Sequence, residues 1–462
     1  MSRRQPRPQI AEATSRRKFL AHSLAATATI TIAPRHVLGG AGFTAPSERV
    51  RIAGIGAGGM GGGDIRQVSR LGAEIVALCD VDEKQAAETF AAFPTTPRYK
   101  DFREMLEKEH RNIDAVTVGT PDHTHAIATM AAIKMGKHVY CEKPLTHTIH
   151  EARALATAAR THKVMTQMGN QGHAREGARL TNEWIRAGVI GEIREVHAWT
   201  DRAGNHWPQG SGRPTDHPPV PSTLAWDLWL GPAPSRPYHP SYAPVKWRGW
   251  RDFGTGALGD MGCHIIDHPV WALDLGHPST IEARTTIYGS RLEGNRPNLE
   301  TYPVASIIHY KFPARGNLPP LKLTWYEGGL MPATPEEMSE GQRLPGNGVL
   351  YVGSKGKMYH GSHGGMPQLV PAGLTEEAHK VPRSMPRSPG HHKEWLEACK
   401  GGTAPVSNFS YSGPMTEIVL LGVLALRSPN RQLQWDGESL KVKNAPELNR
   451  YIHREYRKGW SL

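Results

Sequence analysis

Val50-Arg51-Ile52-Ala53-Gly54-Ile55-Gly56-Ala57-Gly58-Gly59-Met60-Gly61 joins an apolar, strand-like run to a glycine-rich turn, and helical periodicity carries on from it to about Leu71. A strand feeding a glycine turn and then a helix opens a doubly wound α/β sheet, with the helix N-terminus turned towards a phosphate. Two registers fit the Gly-x-Gly-x-x-Gly spacing, Gly54/Gly56/Gly59 and Gly56/Gly58/Gly61. The second follows the strand directly and is preferred. Its glycines, with Gly59 and Met60 inside the turn, let backbone approach a pyrophosphate. Further strands are expected at residues 73–79, 114–118, 138–141 and 163–167, with helices between them. Thr120-Pro121-Asp122 opens one of these helices, with Asp122 as its expected N-cap and Gly136 as its stop.

Asp80 falls 19 residues after Gly61, close to the ~20 expected of an acid that binds the adenosine ribose. A carboxylate there repels a 2′-phosphate, and no arginine follows in Val81-Asp82-Glu83, so the expected cofactor is NAD rather than NADP. The stretch Lys137-His138-Val139-Tyr140-Cys141-Glu142-Lys143-Pro144 ends a buried strand. It sets Lys143 at the carboxyl edge of the sheet, where open α/β folds hold ligands. A lysine there, beside an oxidised nicotinamide, polarises a substrate hydroxyl, and the chain reads as an oxidoreductase.

Gly259-Asp260-Met261-Gly262-Cys263-His264-Ile265-Ile266-Asp267-His268 supplies a second constellation. On a helix, Asp260 and His264 lie one turn apart, with Asp267 and His268 close to that face. A histidine beside a carboxylate suits a general base near neutral pH. Read alone, the same residues serve equally as a helix cap and a satisfied core histidine. Pro269 should interrupt the helix. In Gln167-Met168-Gly169-Asn170-Gln171-Gly172-His173, Asn170 and His173 fit either a ligand contact or a structural turn. Trp226, Trp229, Trp247 and Trp250, with Tyr238 and Tyr242, read mainly as a loop core.

Beyond residue 169 the pattern changes. Residues 280–287 and 321–325 alternate apolar and polar side chains, which marks half-exposed antiparallel strands. Residues 192–200 and 348–358 are further strand candidates, and 392–400 and 414–428 are helical. Two loop-rich stretches, 202–221 and 331–346, lie between. The fold class is therefore α/β: a Rossmann doubly wound parallel sheet followed by an α+β domain with a large open, mainly antiparallel sheet. The expected organisation is a leader (1–45), a nucleotide-binding domain (46–169) and a substrate and oligomerisation domain (170–462). The few late helices leave one sheet face uncovered, so a homodimer or homotetramer is expected.

The net charge of +12 raises nucleic acid as a partner. Half of that excess sits in residues 1–45, where Arg3, Arg4, Arg7, Arg16, Arg17, Lys18 and Arg35 face Glu12 alone. No basic run with interleaved aromatics follows, and nucleic-acid binding is not expected. Ser15-Arg16-Arg17-Lys18-Phe19-Leu20 ahead of the apolar stretch 21–33 resembles a twin-arginine export signal. Its expected partner is the twin-arginine machinery and its destination the periplasm. That apolar stretch is too short for a bilayer, which needs ~20 residues. Cys79, Cys141, Cys263 and Cys399 show no Cys-x-x-Cys spacing and read as free thiols.

These motifs together resemble the glucose–fructose oxidoreductase, inositol dehydrogenase and rhizopine-catabolism dehydrogenase (Gfo/Idh/MocA) family. The resemblance rests on the glycine turn 56–61, Cys79-Asp80, Thr120-Pro121 with His125, Glu142-Lys143-Pro144, and Asp260 with His264. Residues 224–232 and 253–262 resemble its exported bacterial branch. The resemblance implies NAD held by the glycine turn, Asp80, Thr120, Pro121, His125, Glu142, Lys143 and Asn170, with Lys143, Asp260 and His264 as the catalytic trio. His264 would take a proton from a sugar or polyol hydroxyl, Lys143 would steady the alkoxide, and Asp260 would orient the imidazole or grip a neighbouring hydroxyl. No metal is implied, and the 24 histidines form no compact ligand motif. Some relatives oxidise a sugar transiently so that a glycosidic bond eliminates, which leaves an NAD-dependent glycosidase or lyase as the alternative.

Overall fold

A parallel sheet forms first along the chain: β1 (Arg51–Ile55), β2 (Glu74–Cys79), β3 (Arg98–Tyr99), β4 (Ala115–Val118), β5 (His138–Cys141) and β6 (Thr166–Met168). The structure is a computed structural model that describes residues 48–204, 206–286 and 299–462; the expected leader lies outside them. Strand order is β3-β2-β1-β4-β5-β6. Ala115–Val118 is buried at every residue, as a central parallel strand covered by helices on both faces must be. The order reverses between β1 and β4, and the crevice at their carboxyl ends is where such sheets take ligands.

The first helix, Gly59–Arg70, starts inside the glycine turn. Gly56 adopts φ +83°, and a Cβ on Gly61 would sit 2.0 Å from the Gly56 carbonyl oxygen. The structure therefore uses the Gly56/Gly58/Gly61 register, with Gly61 allowing helix and strand to touch. Helix Asp122–Lys134 departs from expectation at its start. Pro121 is the N-cap, and Asp122 is instead buried and accepts a hydrogen bond from Thr255 Oγ1 at 2.6 Å. A tertiary partner has taken the carboxylate that would otherwise cap the helix. Gly136 (φ +72°) closes its other end as read from the sequence.

The second sheet contains β7 (Ile193–Trp199), β8 (Thr280–Thr285), β9 (Ser306–Phe312), β10 (Leu321–Glu327), β11 (Gly348–Gly353), β12 (Lys357–Gly361), β13 (Gln368–Val370), β14 (Gln432–Asp436) and β15 (Lys441–Val442). Its order is β13-β12-β11-β7-β10-β9-β8-β14-β15, antiparallel except where β7 pairs with β10. The single strand expected over 348–358 is a hairpin, β11 and β12, turning at Ser354-Lys355-Gly356. One face is covered by helices Gly256–Ile265 and Phe409–Ala425, which meet where Gly262 faces Val419. The late helix thus begins earlier than the expected residue 414 and carries Pro414 inside its first turns. The opposite face presents Arg194, Arg284, Lys311 and Lys322 to solvent among half-buried Ile307, His309 and Tyr326.

The nucleotide-binding half is not contiguous in sequence. Helix His391–Cys399 inserts Trp395 and Leu396 into the core formed by Ile52, Ile65, Leu78 and Tyr140. The segment after residue 446 returns to the same half: Arg103 donates to the Gly459 carbonyl at 3.1 Å, and its guanidinium lies 4.0 Å over the Trp460 ring. All four cysteines are free thiols. Among the described residues, no helix is long and apolar enough to cross a membrane.

Candidate active site

The carboxyl ends of β1, β2, β4 and β5 open into a cavity of ≈ 330 Å³. It runs from Gly56, Gly58, Gly59 and Met60 past Thr120 and Pro121 to Lys143. The residues present fit a dinucleotide. A Cβ on Gly59 would meet nothing within 4 Å, and Thr120 Oγ1, in the cavity wall, is buried without a partner. Asp80 also lines the cavity, but its oxygens are already engaged. Oδ2 accepts from Ala57 N (2.7 Å) and Gly58 N (3.1 Å), and Oδ1 accepts from Asp82 N (2.9 Å). It braces the glycine turn with lone pairs left for a ribose hydroxyl. His125 approaches two carbonyls, Pro144 O at 2.8 Å and Thr120 O at 2.7 Å, and so ties the turn after β4 to the turn after β5. Burial pushes its imidazole down to about 4, leaving it neutral.

Lys143 sits where the sequence puts it, just beyond β5. Its Nζ donates to Asp260 Oδ1 at 2.9 Å and to the Asp260 carbonyl at 3.2 Å. Burial acts to lower the ammonium, but the Asp260 and Glu142 carboxylates outweigh it and hold Lys143 above its ordinary value. Asp260 lies in the second turn of its helix, which Thr255 caps, so Asp260 is not a cap. It carries two further cations: Arg202 Nη1 at 2.6 Å on Oδ2 and Arg248 Nε at 3.2 Å on Oδ1. Against the cost of burial, Lys143, Arg248 and Arg202 hold its carboxyl far below the usual range. The structure shows no hydrogen bond from Asp260 to His264; its oxygens face the cations instead.

His264 is one turn on, with only 4 % of its surface exposed. Its Nδ1 is sealed without a partner, which leaves Nε2 as the nitrogen with access to a ligand. Burial, then the Lys143 charge and the neighbouring His363, push its pKa well below the ordinary imidazole value, so the ring is neutral. His363 stacks on it with ring centroids 3.9 Å apart and planes inclined by 26°. His363 adopts φ +58°, a left-handed conformation rare for a residue with a Cβ. The strain is held because His363 N donates to the His264 carbonyl (3.2 Å) and Gly364 N to His268 Nε2 (2.9 Å).

Residues 50–170 match an oxidoreductase family described by its NAD-binding Rossmann fold, and residues 185–287 match the C-terminal α/β domain of the same family, Gfo/Idh/MocA. The chain belongs to this family. It is 25% identical to a levoglucosan dehydrogenase from Pseudarthrobacter phenanthrenivorans over 41% of this chain and 40% of the relative. It is 31% identical to a glycosyl hydrolase family 109 protein from Shewanella pealeana over 32% and 34% of the two chains. The chain therefore spans well under two thirds of the length of these curated relatives. Its fold is similar to the WlbA dehydrogenase of Bordetella pertussis, solved with NADH and UDP-GlcNAcA, with a TM-score of 0.56, 17% identity, and coverage of 84% and 99% of the two chains.

Within this Gfo/Idh/MocA chain, Lys143, Asp260 and His264 converge on the carboxyl edge of the first sheet. Asn170 and His173 do not join them. Asn170 accepts from Ser407 Oγ at 2.6 Å, away from the cavity wall. His173 bonds Asp267 at 2.9 Å and stacks on Trp271 at 4.0 Å. Glu142 lies behind Lys143 and accepts from Gln171 Nε2 at 2.9 Å. Sequence reasoning passed over its neighbour Asp64, which is bound to His392 at 2.8 Å. Burial raises both carboxyls to about 8. It also passed over Arg202, Arg248 and His363. Arg202 and His363 lie in loops and Arg248 in a single 3-10 turn (Lys246–Gly249), none with a periodic pattern, and only the glycines near His363 hinted at a tight backbone approach.

Proposed function

We propose that this chain is an NAD-dependent oxidoreductase that acts on a secondary hydroxyl of a sugar, polyol or glycoside outside the cytoplasm. The observation that carries the reading is an ammonium and a neutral imidazole, Lys143 and His264, set beside a dinucleotide-shaped cavity with Asp260 between their positions on the chain. When bound, NAD supplies the hydride acceptor for the substrate carbon. The glycine turn and Thr120 hold it, and Asp80 orients its adenosine end. Lys143 Nζ donates to the substrate oxygen and stabilises the negative charge as it develops. His264 Nε2 receives the hydroxyl proton. Asp260 keeps Lys143 charged across the working pH range. The test is to titrate the purified protein with a panel of sugars and polyols and follow absorbance near that of NADH. A panel that leaves the cofactor unreduced, with release of an aglycone from glycosides, favours the glycosidase reading suggested by the family 109 relative.

The arginine pair of the leader supports export by the twin-arginine route, which carries folded proteins. A periplasm without a pool of free NAD then favours a cofactor that is loaded before export and recycled in place by a second substrate. Denaturing protein purified without added cofactor should release one NAD(H) per chain. Substoichiometric release with activity restored by added NAD would refute retention. The half-exposed outer face of the second sheet supports a dimer or tetramer built across it. Light scattering that reports only monomer at micromolar concentration would refute that assembly.

A further inference from the structure

Lys143, Arg202 and Arg248 all converge on the single carboxylate of Asp260. Among the described residues, no other carboxylate lies within 4.0 Å of either guanidinium. Nearby acids do not redress the balance. Burial lifts Asp122 to about 7 and Glu142 to about 8, and neither forms an ion pair with Arg202 or Arg248. Asp201 adjoins Arg202 in sequence but is exposed and makes no ion pair with it. The pocket therefore holds two cations more than its anion can neutralise.

Those cations are also placed to bind something. Among the described residues, Arg202 Nε and Nη2 and Arg248 Nη2 have no acceptor, and none of them is sealed from solvent. The Arg248 guanidinium lies 4.2 Å over the Trp247 ring and 6.0 Å from Trp207, which fixes its plane. The backbone of Arg202 is pinned: its N donates to Thr200 Oγ1 at 3.3 Å and its carbonyl accepts from Gly328 N at 2.7 Å. A guanidinium held this way offers a preformed fork to a carboxylate or phosphate. Surplus positive charge in a half-buried pocket is costly, and a neutral polyol does not offset it.

We propose that the substrate is an anionic carbohydrate, whose carboxylate or phosphate is gripped by Arg202 and Arg248 while Lys143 receives the hydroxyl to be oxidised. The inference rests on the roles given above to Lys143 and His264. Because all three cations share one carboxylate, the acidic group belongs to the same sugar ring as the reacting hydroxyl or to its immediate substituent. A charge at the far end of a glycan does not meet the requirement.

The test measures binding and turnover of a hexuronate, a hexose phosphate and the matching neutral hexose by the purified holoenzyme. An acidic sugar should bind about 10²-fold more tightly than the neutral one at low ionic strength, and salt should erode the difference. Arg202→Gln should cut kcat/KM for the acid by about 10²-fold more than it cuts that for the neutral sugar. Arg202→Lys should restore part of the preference, and bound NAD(H) should stay constant in both variants. A response to hexuronate alone assigns a carboxylate, and one to the phosphate alone assigns a phosphate ester. Neutral hexose bound and oxidised as well as either acid, or an unchanged preference in a folded Arg202→Gln, would overturn the proposal. Arg202-dependent binding of an acid without any oxidation would leave the anion site standing and remove the dehydrogenase reading instead. Should both arginine variants fail to fold, loss of the acid preference at high salt in the wild type decides the matter.

Discussion

Replacing Asp260 by asparagine keeps the side-chain shape and removes the charge that three cations share. Lys143 lies 2.9 Å from Oδ1, and the two side chains are only 12% and 5% exposed, so solvent screens the pair weakly. At an effective dielectric of about 20, Coulomb's law puts that attraction at ~6 kcal/mol, which is ~4 pKa units at ~1.36 kcal/mol each. Burial and the Arg248 charge already act to lower Lys143, and in the variant only the weaker pull of Glu142 opposes them. Lys143 in Asp260→Asn should therefore lose its proton at a far lower pH than in the wild type. Pulse acetylation over a range of pH, read at the Lys143 peptide by mass spectrometry, follows the uncharged amine directly and needs no substrate. Wild-type Lys143 should resist labelling at a pH where the variant already labels readily. Identical labelling curves would refute the view that Asp260 exists to keep this lysine charged.

His264→Gln should lower turnover by ~10²–10⁴-fold while bound NAD(H) is retained; turnover near that of the wild type would remove His264 as proton acceptor. Asp64 and Glu142 titrate at about 8 in the folded chain, above their unfolded values near ~4. Their contribution to stability is thus full below about pH 4 and is lost as pH rises towards 8, at up to ~1.4 kcal/mol per pH unit for each proton released. Asp64→Asn should flatten that decline, as measured by urea unfolding at pH 5 and pH 8, and an equal decline in both proteins would count against the buried acid pair.

The parts of this site that are consecutive in sequence were legible there. The glycine turn, Asp80 and Glu142-Lys143-Pro144 each report on a backbone path that neighbouring residues set, so strand, turn and carboxyl edge follow from local pattern. Asp260 and His264 needed only the helical repeat to be placed together. What stayed hidden is assembled across distance. Arg202 and Arg248 reach Asp260 from a loop and a 3-10 turn 58 and 12 residues away, and His392 reaches Asp64 across 328. Asp122 shows the limit from the other side: its position favours a cap, but Thr255, 133 residues on, offers a buried hydrogen bond that wins. The orientation of Asp260 away from His264 had no sequence signal either, because nothing local announces two arginines arriving from outside its helix.

The insertion of helix His391–Cys399 beneath the first sheet sets a timetable for synthesis. Trp395 and Leu396 close a core that Ile52 opens more than 300 residues earlier. At ~5–20 residues per second, a ribosome needs on the order of 20–70 s to make the intervening chain. Throughout that interval Ile65, Leu78 and Tyr140 lack their covering side chains, and the nascent strands are open to holding factors or to misassembly. A fragment stopped near residue 170 is frozen at this stage. It should bind a hydrophobic dye and fail to retain NAD, whereas supplying residues 390–462 in trans should suppress the dye signal. Dinucleotide capture is in this sense acquired late, only after the helix His391–Cys399 has been made.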